Sequence, residues 1–130
     1  MKIITVVAAV IERGPHVLCV RRGHSNHQYL SGKWEFPGGK IEAGETETTA
    51  LSREILEELS MTITITEKLM VVEHTYPDFQ LTMHTYRCQS GDTPTLHEHE
   101  ALHWLTREEL PALDWAAADW PIVNYLIKQK

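Results

Sequence analysis

The sequence predicts an α/β fold, a mixed β-sheet with helices packed on it. Three features carry that prediction. Residues 3–12, Ile-Ile-Thr-Val-Val-Ala-Ala-Val-Ile-Glu, form a nearly continuous apolar run rich in Val and Ile, the pattern of a strand buried on both faces. Residues 47–59 carry Leu51, Ile55 and Leu59 at helical spacing, one apolar stripe suited to lying on a sheet. The segments run in the order β-β-β-α-β-β-β-α-α, with strands on both sides of that helix.

The elements follow in chain order. Arg13-Gly14-Pro15 is a turn signal, and His16–Arg21 returns as a second strand, so the two form a hairpin. Residues 22–33 are polar and read as a loop. Trp34-Glu35-Phe36 is a short strand stopped by Pro37. Gly38-Gly39 is expected to supply backbone conformations closed to other residues. Thr46 is the N-cap of the helix over 47–59, with Glu47 in its first turn and Leu56 flanking the apolar stripe. Thr62–Thr66 alternates strictly and predicts one strand; Leu69–Thr75 and Gln80–Cys88 predict two more, joined by a turn at Tyr76-Pro77-Asp78-Phe79. Residues 89–96 are a loop, and Glu100–Leu105 holds another short strand. Thr106 and Glu109 form a capping box on a short helix. Asp119-Trp120-Pro121 opens the last helix, whose apolar face is Ile122, Val123, Leu126 and Ile127.

At 130 residues the chain is expected to be one domain, residues 1–130. Its net charge of −6 argues against a nucleic-acid polymer as partner, since that needs a basic surface. An anionic small ligand stays possible, because a bound cation inverts local charge logic. Cys19 and Cys88 lie in apolar, strand-like runs, as reduced core thiols do, and there is no Cys-x-x-Cys. The N-terminal apolar run is short, lacks a cleavage-site pattern and reads as a strand. No stretch is long enough to span a membrane, so a cytoplasmic location is the default expectation.

The chemistry concentrates in residues 38–61. On a helix, Glu54, Glu57 and Glu58 fall within an arc of about 100° beside the apolar stripe. Three carboxylates so crowded repel one another unless a cation is present, and an oxygen-only set favours Mg²⁺, with Mn²⁺ able to substitute. Arg53 precedes Glu57 by one turn and can pair with or orient a carboxylate. A solvated acidic face would read the same way, but Gly38, Gly39, Gly44 and Glu45 precede the helix closely enough to converge on the same place.

Gly39, five residues, Glu45, seven residues, then Arg53-Glu54-Ile55-x-Glu57-Glu58-x-x-Met61 resembles the Nudix box, departing only at Ser60, where the family usually has Gly. Trp34-Glu35-Phe36-Pro37-Gly38-Gly39-Lys40 is similar to the lead-in of MutT-type nucleoside triphosphate pyrophosphohydrolases. His97-Glu98-His99-Glu100-Ala101-Leu102-x-Trp104 resembles a later loop of that subfamily, especially its CTP-pyrophosphohydrolase branch. The resemblance implies a mixed sheet sandwiched between α-helices. It implies Mg²⁺-dependent hydrolysis of ordinary or modified (deoxy)nucleoside triphosphates, such as 8-oxo-dGTP or (d)CTP derivatives, to monophosphate and pyrophosphate, by a monomer or homodimer. By the same resemblance Glu54, Glu57, Glu58, Glu98 and the Gly39 carbonyl are metal ligands. Glu54 is also a candidate general base oriented by Arg53, Glu45 tunes the site, Glu98 binds metal or activates water, and Arg22 and Lys40 suit phosphate contacts.

Several residues keep two readings. Asp119 either caps the last helix or meets the nucleobase. Trp34, Phe79 and Trp120 either stack a base or pack in the core. His97 and His99 read as loop-packing histidines, because zinc would need more ligands than stand nearby. Tyr76-Pro77 does not separate MutT-type enzymes from ADP-sugar or dinucleoside polyphosphate hydrolases, which remain the alternative. A non-catalytic nucleotide-binding Nudix module is a third reading.

Overall fold

The computed structural model describes residues 1–129. A seven-stranded mixed sheet runs β3-β2-β1-β6-β5, with β4 paired to β1 and β7 to β2. The strands are β1 (Lys2–Arg13), β2 (His16–Arg21), β3 (Trp34–Glu35), β4 (Gly38–Lys40), β5 (Thr64–Thr75), β6 (Phe79–Gln89) and β7 (Ala101–Thr106). The helices are α1 (Glu47–Leu59) and α2 (Trp120–Lys128), with 3₁₀ turns at Arg107–Ala112 and Ala117–Asp119.

β1 is the central strand, as its two-sided apolarity demands. It pairs in parallel with β6 along the whole run from Lys2↔Phe79 to Glu12↔Gln89. Val7, Ala9 and Ile11 face α1, where Leu51, Ile55 and Leu59 are fully buried against them. Ala8 and Val10 face the other way, into a cluster with Phe36, Trp115, Ile122, Val123 and Leu126. The sheet is thus held between α1 and α2. Each fully buried aliphatic side chain on these stripes contributes about 1.5–3 kcal/mol.

The β1–β2 hairpin closes only two registered pairs, Glu12↔Val17 and Arg13↔His16. β2 then leaves β1 for β3 and β7. The freed edge of β1 is taken by β4, through Val6↔Lys40, Val7↔Gly39 and Ala8↔Gly38. This exchange of partners brings the glycine segment against the middle of the sheet, next to α1.

Four sequence expectations need correction. Gly38 and Gly39 are strand residues, and the left-handed glycines are Gly14, Gly32 and Gly44. Their need is close approach: a Cβ on Gly38 would overlap the Val7 carbonyl oxygen, and one on Gly39 would overlap the Glu54 carboxylate. Residues 64–66 and 69–75 belong to one strand, β5, because register shifts at Ile65/Glu67 and Lys68/Met70 carry the pairing with β6 across the break in alternation, while Thr62 and Ile63 precede it. Leu56 is 56% exposed; α1 buries Ala50 and Glu58 beside the stripe instead. Asp119 makes no side-chain cap on α2. Thr46 does cap α1, its hydroxyl accepting from the Thr49 N–H at 3.2 Å.

Candidate active site

α1 brings its acidic face to the edge of a cleft of about 800 Å³, lined among others by Arg22, Glu35, Gly39, Lys40, Glu54, Glu58, Phe79, Glu98 and His99. The cleft shares Arg22, Glu35, Gly39 and Phe79 with an adjoining smaller pocket of about 110 Å³ that is also lined by Phe36, Ala116 and Asp119.

Arg53 organises the acidic end. Its Nε donates to Glu45 Oε2 at 2.7 Å and its Nη2 to Glu45 Oε1 at 2.9 Å, a two-pronged pair. Nη1 donates to Glu54 Oε1 at 2.9 Å and to Glu57 Oε2 at 3.3 Å, and Nη2 also reaches the Lys40 carbonyl at 3.1 Å. One guanidinium therefore fixes the 40–45 loop to two turns of α1. The hydrogen bonds from Arg53 hold the Glu45 carboxyl below its ordinary range, and Glu45 in turn raises Arg53.

Glu58 lies behind these groups. It is only 5% exposed, and its Oε1 is buried with no hydrogen-bond partner. Burial, then the neighbouring Glu54, Glu98 and Glu35 carboxylates, push its carboxyl well above the usual range. Glu57 has a side chain 58% exposed, at the rim of the cluster, and Glu98 faces the same cleft from the loop before β7.

These residues fit a hard divalent cation. The donors are all oxygens, one buried carboxylate oxygen is unsatisfied, and Gly39 lets the backbone approach Glu54 where any side chain would intrude. Among the described residues no three His, Cys, Asp or Glu side chains already form a closed cage, so an ion would have to draw the rim carboxylates inward.

Glu35 and Asp119 both line the smaller pocket. Arg22 Nε donates to Glu35 Oε1 at 3.0 Å, and its Nη2 lies 2.9 Å from the same oxygen, completing an ion pair. His99 Nε2 donates to Glu35 Oε2 at 3.1 Å and stands 3.8 Å from Glu58 Oε2. Burial alone would push the Glu35 carboxyl up, but the His99 hydrogen bond and the Arg22 charge outweigh it and hold it below its ordinary value. Asp119 is buried, and its Oδ2 accepts the Phe36 backbone N–H at 2.9 Å. Burial and then the Glu35 charge raise its carboxyl well above the ordinary value.

The sign of that shift gives a stability prediction. The folded protein holds the Asp119 proton more tightly than the unfolded chain does. The group therefore adds stability at acidic pH that is lost as pH rises through its folded value. Asp119→Asn keeps an acceptor for Phe36 and removes the charge. It should melt several degrees above the parent at pH 8, with the gap closing towards pH 4; equal melting curves at pH 8 would refute the buried-charge reading.

Arg22, Lys40, Phe79, Glu54, Glu58 and Glu98 thus line the cleft, and Asp119 lines the adjoining pocket that shares Arg22 and Phe79 with it. Trp34 does not line it: the ring is buried in the α2-side cluster and stacks on His103, with centroids 4.9 Å apart. Trp120 packs against the same cluster. The sequence reading gave Glu35 no role and took His99 only as a loop-packing histidine. The available signals were an acid between two aromatics in a short strand and a histidine next to Glu98.

A NUDIX domain profile matches residues 6–125. A putative 8-oxo-dGTP diphosphatase 2 of Mycobacterium tuberculosis is 41% identical over 119 residues, covering 88% of this chain and 81% of that protein. A CTP pyrophosphohydrolase of Escherichia coli is 36% identical over 125 residues, covering 95% and 91%. The solution structure of a MutT protein of the Nudix hydrolase family from methicillin-resistant Staphylococcus aureus is 40% identical, covers all of both chains and superposes with a TM-score of 0.77. With that profile spanning most of its sheet, all of α1 and the first part of α2, and relatives of this kind over nearly its whole length, the chain belongs to the Nudix hydrolase family, in its MutT-type group.

Proposed function

We propose that the protein is a Mg²⁺-dependent nucleoside triphosphate pyrophosphohydrolase, with Mn²⁺ able to substitute, acting on modified or ordinary triphosphates such as 8-oxo-dGTP and (d)CTP derivatives. One observation carries this reading: the Arg53-organised carboxylates and the Asp119 pocket open on the same cleft. The names of the diphosphatase and pyrophosphohydrolase relatives support it. Such an enzyme would clear damaged nucleotides in the cytoplasm as a monomer or homodimer, built as one domain.

Glu54, Glu57, Glu58, Glu98 and the Gly39 carbonyl would hold the ion, which neutralises phosphate oxygens and acidifies water when bound. The chain's own residues do the rest. Water adds to a phosphorus of the triphosphate, the P–O bond between the α and β phosphoryl groups breaks, and the water proton passes to Glu54. Arg53 orients Glu54 through its Nη1 and is itself fixed by Glu45, so the base is held before substrate arrives. Lys40 at the cleft mouth and Arg22, turned to the cleft by Glu35, face the phosphates. Phe79 offers a ring to the base. Asp119, with Oδ2 engaged by Phe36, meets the base edge: charged, it accepts from an exocyclic amine; protonated, it donates to a purine edge.

The test is a panel of triphosphates with Mg²⁺, including 8-oxo-dGTP, dGTP, CTP and dCTP, read by pyrophosphate release. ADP-ribose and a dinucleoside polyphosphate serve as competitors. Pyrophosphate from a triphosphate is expected; turnover confined to ADP-ribose or the dinucleotide would overturn the assignment.

A further inference from the structure

Resting on the hydrolase reading above, we propose that His97 and His99 are positioning residues that clamp Glu98 into the cleft, with Ser60 as the anchor for His97. Ser60 ends α1 in the left-handed region, at φ 55° and ψ 37°, and is the only non-glycine residue with positive φ among the described residues. Glycine takes that conformation without steric cost, whereas serine is strained there. What serine adds is a hydroxyl, and its Oγ lies 2.7 Å from His97 Nε2.

The backbone supports the same anchor. The Thr95 N–H donates to the Leu59 carbonyl at 2.8 Å and the His97 N–H to the Glu58 carbonyl at 3.3 Å. Carbonyls in the last turn of a helix lack intrahelical partners, so the loop before β7 completes the end of α1. One residue past Glu98 the chain is fixed again. The His99 side chain is 5% exposed, with Nε2 on Glu35 and 3.8 Å from Glu58, and the Glu100 N–H donates to the Arg21 carbonyl at 3.0 Å. Glu98 is therefore held between two histidines that are each tied down, one by the end of α1 and one by Glu35. His97 secures it to the C-terminal end of α1, and His99 to the Glu35 wall. Ser60 is strained as a helix end, and its hydroxyl contact with His97 accounts for the exchange.

The experiment sets Ser60→Gly, His97→Ala, His99→Gln and His99→Ala in the parent and in a Glu98→Gln background. Ser60→Gly should melt at or above the parent, yet lose about tenfold in kcat with KM changed less than about twofold. His97→Ala should match it, and the Ser60→Gly/His97→Ala pair should be no worse than either alone, because both remove one contact. His99→Gln keeps a donor for Glu35 and should retain more activity than His99→Ala. Neither Ser60→Gly nor His97→Ala should lower kcat further once Glu98 is Gln. Without substrate or metal, amide exchange at His97 should quicken in Ser60→Gly and His97→Ala.

Parent-like kcat in both Ser60→Gly and His97→Ala overturns the proposal. So does an equal drop in the Glu98→Gln background, or unchanged amide exchange. A parent protein that hydrolyses no triphosphate refutes the hydrolase reading instead, while the exchange measurement still reports on the clamp.

Discussion

Glu58→Gln should lower kcat by about 10³ or more, on the scale that transition-state electrostatics and metal activation supply. The same change should leave the metal-free protein at least as stable as the parent. Glu58 is buried, one of its oxygens has no partner, and Glu54, Glu98 and Glu35 crowd it. A neutral isostere removes the cost of burying, or protonating, a carboxyl in that place. A carboxylate kept for the fold would show the opposite signature, a fall in melting temperature with activity preserved in the surviving protein. Mg²⁺ gives a second readout: it should raise the melting temperature of the parent by mass action and do so less in Glu58→Gln. Parent-like turnover in the variant would sink the metal-holding role of this residue.

Gly38→Ala is expected to be the most damaging small change to the fold, costing about 3 kcal/mol or more by overpacking. Its new Cβ would overlap the Val7 carbonyl oxygen and lie 2.8 Å from the Ala8 Cα. Both atoms belong to the backbone of the central strand, which pairs with β6 over its whole length and cannot shift without breaking that ladder. Gly39→Ala should behave differently. Its Cβ would meet the Glu54 carboxylate, the far end of a side chain that can rotate away. Stability should suffer less than at Gly38, while activity falls by about 10²-fold because Glu54 is displaced. Chemical denaturation and steady-state turnover of the two variants separate these outcomes. Equal stability losses would refute the distinction.

Much of the fold was legible in local pattern. Helix α1 begins after Thr46 and ends at Leu59, where the N-cap and the Leu51/Ile55/Leu59 stripe place it. The two-sided apolarity of residues 7–11 marks the central strand, because only a strand with partners on both edges and layers on both faces buries such a run. The alternation breaking near residue 67 suggested two strands, but a bulge lets one strand absorb an irregularity when its partner is long, and the length of β6 lies outside the local window.

The acidic cluster was legible for a related reason. Glu45, Arg53, Glu54, Glu57 and Glu58 lie on one helix and the loop before it, so spacing alone brings them close. The other wall of the cleft was not. The Asp119 carboxylate pairs with a backbone N–H 83 residues earlier in the chain, and His99 meets Glu35 across 64. At the sequence level Asp119 matched a helix cap equally well, and Trp34 matched a base platform as well as a core residue.

The sequence by itself therefore determined the Nudix cassette of residues 39–61, the helix that carries it and the central strand beneath, since periodicity and short-range spacing are properties of neighbouring residues. Tertiary structure decided the rest. It turned Asp119 inward, sent Trp34 into the core, linked Glu35 to Glu58 through His99, and made Gly38 necessary through contact with Val7 rather than through torsion. The reason is physical: burial and hydrogen-bond partnership depend on which distant segment fills the adjoining space, and that is set only when the whole sheet assembles.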